Sequence, residues 1–220
     1  MRLAATVMLV RDRAAGGIEI LMVRRSARSP FAPDAFVFPG GTVDPQDYDR
    51  VLDGWPPERI PIEFRAEVPD ALPTDASPLG ARDANALVAA AVRELHEEAA
   101  ITIDPSQLLL FSHWVTPPDE PRRYDTHFFL ARAPADALGV ADAFETHDAR
   151  WIEPGDALAR NLRGELHLVY PTIKHLERLR AFDVVDALLA FAQEKPIRTI
   201  MPGCAPSEGF VMPVHLENAW

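Results

Sequence analysis

Glu94, Glu97 and Glu98 stand within one turn and a half of each other in the run Arg93-Glu94-Leu95-His96-Glu97-Glu98-Ala99-Ala100-Ile101. On a helix their i, i+3, i+4 spacing puts all three on one face, while Val88, Val92, Leu95 and Ala99 form a separate apolar stripe. Like charges at that spacing repel by a few tenths of a kcal/mol per pair. They also sit toward the helix C-terminus, the wrong end of the macrodipole for anions. A divalent cation relieves both penalties, and three hard oxygen donors suit Mg2+ or Mn2+, with waters and substrate phosphate completing the shell. Arg93, four residues before Glu97, is placed to orient that carboxylate. A solvated acidic helix face has the same spacing, so the cluster by itself leaves both readings open.

The stretch Phe36-Val37-Phe38-Pro39-Gly40-Gly41-Thr42-Val43-Asp44 supplies the context. A strand ending in two glycines lets backbone approach phosphate or metal with no side chain in the way. Taken together, Gly41 and the run from Arg93 to Ile101 resemble the Nudix hydrolase box, G-x5-E-x7-R-E-U-x-E-E-x-G-U, where U is a bulky aliphatic residue. The box is interrupted here, because Arg93 follows Gly41 by 52 positions where the family has 14. Two of its residues also depart. The first glutamate falls on Asn85 when counted back from Arg93 and on Asp47 when counted on from Gly41, and the final glycine is Ala100. A helix ending at Ala100 in a left-handed conformation would be strained. The upstream segment from Ile20 to Asp44, the interruption, and the later segments Trp114–Pro117 and Pro121–Phe129 are similar to one split-box branch. That branch holds the peroxisomal coenzyme A diphosphatases and many bacterial relatives.

The resemblance implies hydrolysis of a nucleoside diphosphate linked to another moiety, by attack of water on phosphorus. Glu94, Glu97, Glu98 and the Gly40 carbonyl would hold Mg2+ or Mn2+, with Gly41 beside them and Arg93 in support. Either Glu94 or the loop residue Glu145 would act as general base. Arg24, Arg25, Arg122 and Arg123 are candidates for a second phosphate. The leading substrate is coenzyme A or an acyl-CoA. ADP-ribose or a dinucleotide is the alternative, and a silent nucleotide-binding module is the third reading. Trp114 and Phe128, alternating with polar neighbours, read as core packing before base stacking. His96 reads as helix surface, and His113, His127 and His147 have no metal-like partners in spacing.

The elements that must position these groups are legible in outline. Ala4–Val10 and Ile18–Arg24 read as a hairpin, Asn85–Ala100 as a helix capped by Asp83 or Asn85, and Leu108–Val115, Thr126–Ala131 and Ala149–Ile152 as strands. Pro154–Leu162 and Pro171–Phe191 read as helices, the second broken near Phe182-Asp183. A single strong helix flanked by strands predicts an α/β chain with a mixed sheet and helices packed on it. The resemblance makes this the Nudix αβα sandwich, with extra C-terminal helices. One domain over 1–220 is expected, with an insertion at 45–84 and a C-terminal extension at 196–220. The insertion is marked by prolines 45, 56, 57, 61, 69, 73 and 78, and a short helix is expected around Asp47–Leu52.

A net charge of −11 argues against nucleic acid or anionic membrane as a partner, though bound cations would still admit an anionic small molecule. Cys204 is the sole cysteine, which excludes an intramolecular disulfide and a cysteine-based zinc cluster. No apolar run approaches the roughly 20 residues of a membrane span, and a cytoplasmic location is expected. The insertion could cap the substrate cleft, meet a second copy in a homodimer or decorate the surface, and the apolar patch Phe210–Val214 could add to a sheet edge or a partner. Equally, that patch could fold back on its own domain.

Overall fold

The computed structural model describes residues 1–29, 32–50, 52, 79–141, 146–205, 209–217 and 220. Strands β1 (Arg2–Asp12) and β2 (Ile18–Arg25) form the expected antiparallel hairpin. Gly16 and Gly17 close it at φ of 86° and 79°, a conformation other residues adopt only at a cost. The short β3 (Phe36–Val37) pairs with β2. Beyond Pro39, β4 (Gly40–Thr42) crosses to pair antiparallel with β1. A single 3-10 turn at Pro45–Asp49 stands where a helix around Asp47–Leu52 was expected.

Helix α1 runs Ala81–Ala99, four residues longer at its start than its apolar stripe indicates. Its N-cap is Gly80 rather than Asp83 or Asn85. Asp83 instead lies at the third helical position, where its carboxylate accepts the Gly80 N–H at 3.2 Å. The chain continues through β5 (Leu109–Val115), β6 (Tyr124–Arg132) and β7 (Thr146–Ile152), the last two longer than their apolar cores suggest. Helices α2 (Pro154–Leu162), α3 (Tyr170–Leu179) and α4 (Val185–Glu194) follow, with the break near Phe182-Asp183 where expected. The tail adds β8 (Thr199–Ile200) and a hairpin of β9 (Gly203–Ala205) and β10 (Gly209–Val211).

Strands β1 to β8 form one mixed sheet, in which β1 runs parallel to β6 and antiparallel to β2 and β4. Alternation along the strands divides the core in two. Ala5, Val7, Leu9 and Phe129 face α1 and meet Leu87, Val88, Ala91 and Leu95. Met8, Val10, Phe38 and Phe128 face the other way and meet Leu176 and Leu179 of α3 and Val185 and Leu188 of α4. This is a mixed α/β fold with helices on both sides of the sheet. At the tail, β8 extends the sheet by pairing with the β5 edge, while the β9–β10 hairpin forms its own small sheet. Among the described residues no helix is long and apolar enough to cross a membrane. Most of the proline-rich insertion, residues 51 and 53–78, lies outside the described residues.

Candidate active site

Helix α1 lies against β1 and β4 with its last two turns beside the twin glycines. Glu98 is almost fully buried and accepts the Gly40 backbone N–H at 2.8 Å. Glu94 is buried as well and lies directly against Gly41. A Cβ added there would fall 2.5 Å from the Glu94 carboxyl carbon, so only glycine admits this approach. At Gly40 the obstacle is backbone, since a Cβ would stand 2.6 Å from the Thr6 Cα on β1. Glu97 is the open member, with 53% of its side chain exposed.

Arg93 holds this group together. Its Nη1 donates to Glu94 Oε1 and to Glu97 Oε2, each at 2.8 Å, which brackets two carboxylates that would otherwise repel. On its other side Nε and Nη2 donate to the two oxygens of Asp47 at 3.0 and 2.9 Å, and Nη2 also reaches the Thr42 carbonyl. Hydrogen bonding to Asp47, and then the nearby Glu94, raises the guanidinium's already high pKa despite burial. Asp47 is fully buried, and of the two positions counted from the broken box it is the one Arg93 clasps. Three carboxylates converging on backbone glycines form a donor set of hard oxygens, which fits Mg2+ or Mn2+ held by Glu94, Glu97 and Glu98.

These groups open into a cleft of about 980 Å3 lined also by Arg2, Arg25, Arg28, Arg122, Trp114 and Tyr170. Arg25 lines it with its guanidinium on Ser29 Oγ at 2.9 and 3.1 Å. Two of the four expected phosphate arginines stand elsewhere. Arg24 alternates to the outside of β2, where it pairs with Asp34 at 3.0 Å. Arg123 donates to the Thr116 carbonyl at 3.1 Å and braces the turn before β6. Trp114 and Phe128 are buried in the core, as their pattern indicates, each with an edge on the cleft. Sequence spacing marks none of Arg2, Arg28, Tyr170 and Phe210 as cleft residues: Arg28 reaches the cleft from the turn after β2, and the other three through the docking of distant segments. Glu145 lies outside the described residues. The next residue, Thr146, is buried and donates its hydroxyl to the Glu98 carbonyl at 3.1 Å.

His113 and His127 do acquire a partner, contrary to expectation from spacing. Cross-strand pairing of β5 with β6 stacks their rings at 4.3 Å, and Asp125 Oδ1 lies 2.5 Å from His113 Nε2. The three could offer a metal donor atoms within 4.8 Å of one another. Alternation puts Asp125 and His127 on the α1 face of the sheet, opposite the cleft-lining Thr126 and Phe128. His96 is exposed beside Thr102, as expected.

Comparison with known proteins agrees with this geometry. The family model described as the NUDIX domain matches residues 69–176, which takes in all of α1. "Putative nudix hydrolase 7" of Caenorhabditis elegans is 25% identical over 211 residues, spanning 86% of this chain and 68% of that protein. A NUDIX hydrolase structure from Alicyclobacillus acidocaldarius matches with a TM-score of 0.67 at 26% identity, over 86% of this chain and 96% of its own. The NUDIX domain of Shewanella oneidensis NrtR, solved with ADP ribose, shares the fold at a TM-score of 0.52 and 16% identity, over 82% and 87% of the two chains. Family model, relatives and the carboxylate-on-glycine geometry converge on one conclusion, that this chain belongs to the Nudix hydrolases.

Proposed function

We propose that this enzyme hydrolyses the pyrophosphate of a nucleoside diphosphate linked to another moiety, with coenzyme A or an acyl-CoA as its leading substrate. The observation that carries the reading is the union, in one cleft, of the Glu94/Glu97/Glu98 face with arginines that flank it. Nudix hydrolases generally use divalent metals. Here Glu94, Glu97 and Glu98 would hold them together with the Gly40 carbonyl. Bound cations would neutralise pyrophosphate oxygens and favour a nucleophilic water.

The chain's own groups do the rest. Arg93 fixes the spacing of Glu94 and Glu97, and Gly41 lets Glu94 come up against backbone. Glu94, or Glu145, the residue before Thr146 in the sequence, takes the proton from water. Arg25 and Arg28 line the cleft on the β2 side and Arg122 on the β6 side. That places cationic groups on both flanks of the carboxylates, as a ligand with a phosphate beyond its pyrophosphate requires. Coenzyme A is such a ligand.

The test is phosphate-ester product release from coenzyme A, an acyl-CoA, ADP-ribose and a dinucleotide, each with and without Mg2+ or Mn2+. Metal-dependent cleavage with coenzyme A preferred, falling at least about 100-fold in Glu97→Gln, is the expected result. Cleavage of ADP-ribose with coenzyme A inert would remove the substrate assignment and keep the chemistry. Inactivity on all four, in wild type as in the variant, would leave a nucleotide-binding module.

A further inference from the structure

The cleft is longer than a pyrophosphate needs. One cross-strand row runs from Thr42 on β4 to Ala4 on β1, to Thr126 on β6 and to Trp114 on β5, and all four residues line the cleft. Neighbouring strands lie about 4.8 Å apart, so Trp114 at the far end of this row is roughly 14 Å from Thr42, whose carbonyl accepts from Arg93. Small side chains (Ala4, Thr6 and Thr126) form the floor between, with Arg2 and Arg122 along it. That middle stretch suits phosphate. The far end has a different chemistry.

There the Tyr170 ring stands 6.2 Å from Trp114, nearly perpendicular to it, and Phe210 lies 5.9 Å from Tyr170 at 40°. Trp114 is buried, whereas Tyr170 and Phe210 are half-buried and border the same cleft. Phe210 comes from the β9–β10 hairpin, and the backbone at Met212, just past that hairpin, hydrogen-bonds the Tyr170 hydroxyl. The tail is thereby fastened to the first turn of α3, and an aromatic wall borders this part of the cleft.

We propose that Tyr170 and Phe210 form the platform on which the nucleobase of the substrate stacks, with the C-terminal hairpin supplying half of it. Every base has a π-face, so an aromatic platform binds it without hydrogen-bond readout. The span from Thr42 to Trp114 lets the base rest here while the pyrophosphate reaches back past Arg2 and Arg122 to the carboxylates. The inference rests on the nucleoside diphosphate reading above but not on coenzyme A, since each substrate considered carries a base.

The test is calorimetric titration of the full chain, in Ca2+, with ADP and with inorganic pyrophosphate, which has no base. Phe210→Ala and Tyr170→Leu should each weaken ADP about tenfold and leave pyrophosphate within about twofold, and Phe210→Tyr should bind ADP as wild type does. Equal weakening of both probes, or of neither, overturns the platform. The two readings fail separately: wild-type protein that binds neither probe removes the diphosphate site itself, whereas indiscriminate variants remove only the platform. Two variants from different elements keep the result readable if one of them misfolds.

Discussion

Arg93 on α1 grips both carboxylate oxygens of Asp47, a residue 46 positions earlier in the chain. Asp47 lies in the turn Pro45–Asp49 at the start of the 45–84 insertion, and α1 begins near its end, at Ala81. The broken box is therefore closed in space. Asp47 occupies the sixth position after Gly41, as an uninterrupted box would have it, and the bulk of the insertion, residues 50–80, separates this turn from α1 in the chain. Tyr48 and Arg82 reinforce the junction, with the guanidinium 5.1 Å from the ring centre.

Removing Asp47 should damage stability and chemistry together. Asp47→Ala leaves a buried guanidinium short of its bidentate partner, although Glu94, Glu97 and the Thr42 carbonyl still accept from it. Breaking a buried pair costs about 3–5 kcal/mol, and the surviving bonds place this case near 2–3 kcal/mol. A loosened Arg93 should also reduce kcat some 10- to 100-fold. Urea denaturation and steady-state kinetics on the same preparation check both, and a stability loss below about 1 kcal/mol would contradict the clamp.

The two glycines should separate. At Gly41 an added methyl meets the end of a flexible side chain, Glu94, whereas at Gly40 it meets backbone of β1. Gly41→Ala should lower activity at least about 100-fold while stability stays within about 1 kcal/mol. Gly40→Ala should lose activity and also about 1–3 kcal/mol of stability, because strand pairing must shift. Thermal melts set beside turnover distinguish them, and equal melting losses in both variants would refute the distinction.

The carboxylate face was legible in the sequence because helix periodicity is local: Glu94, Glu97 and Glu98 share a face wherever α1 lies. The hairpin of β1 and β2 was legible for the same reason, alternation interrupted by Gly16-Gly17. What escaped was set by pairing between distant segments. His113 and His127 are fourteen residues apart with unremarkable spacing, and only the β5–β6 register stacks them. Arg24 and Arg25 read identically as adjacent cations, but alternation along β2 sends one to Asp34 and the other to the cleft. Phe210 reads as an apolar tail residue, and its place at the cleft follows from where the hairpin docks.

Ala100 is strained as its position in the box foretold. It caps α1 at φ 56°, ψ 30°, with its N–H on the His96 carbonyl at 2.9 Å. A left-handed conformation costs a residue with a Cβ about 1–2 kcal/mol, offset in part by the greater entropy of glycine in the unfolded chain. Ala100→Gly should therefore raise stability by about 0.5–1 kcal/mol, or roughly 2 °C in melting temperature, with catalysis unaltered. Ala100→Val should lose more than about 1 kcal/mol. A destabilised glycine variant would show that the cap is not strained.

His175 gives the fold an acid limit. The residue is fully buried on α3, stacked on Phe128 at 4.2 Å, with the ammonium of Lys195 adding to its local field. Nδ1 lies 2.6 Å from the Pro171 carbonyl, which can only accept, so that nitrogen carries the hydrogen. Nε2 is then the acceptor for the Ser112 hydroxyl at 2.6 Å. Burial, with a smaller push from Lys195, drives the imidazole down to about 3 from 6.5, against the opposing Pro171 hydrogen bond. In the unfolded chain the same group takes a proton near pH 6.5, so between these values the unfolded state binds more protons. Its contribution to stability is therefore complete above pH 6.5 and drains away as pH falls toward 3, by up to about 1.4 kcal/mol per unit. His175→Gln has no proton to gain and should remove this slope. Urea midpoints at pH 7.5, 6.5, 5.5 and 4.5 measure it directly. Wild type should lose stability more steeply than the variant below pH 6.5 and run parallel to it above, and parallel curves throughout would show that His175 does not set the acid limit.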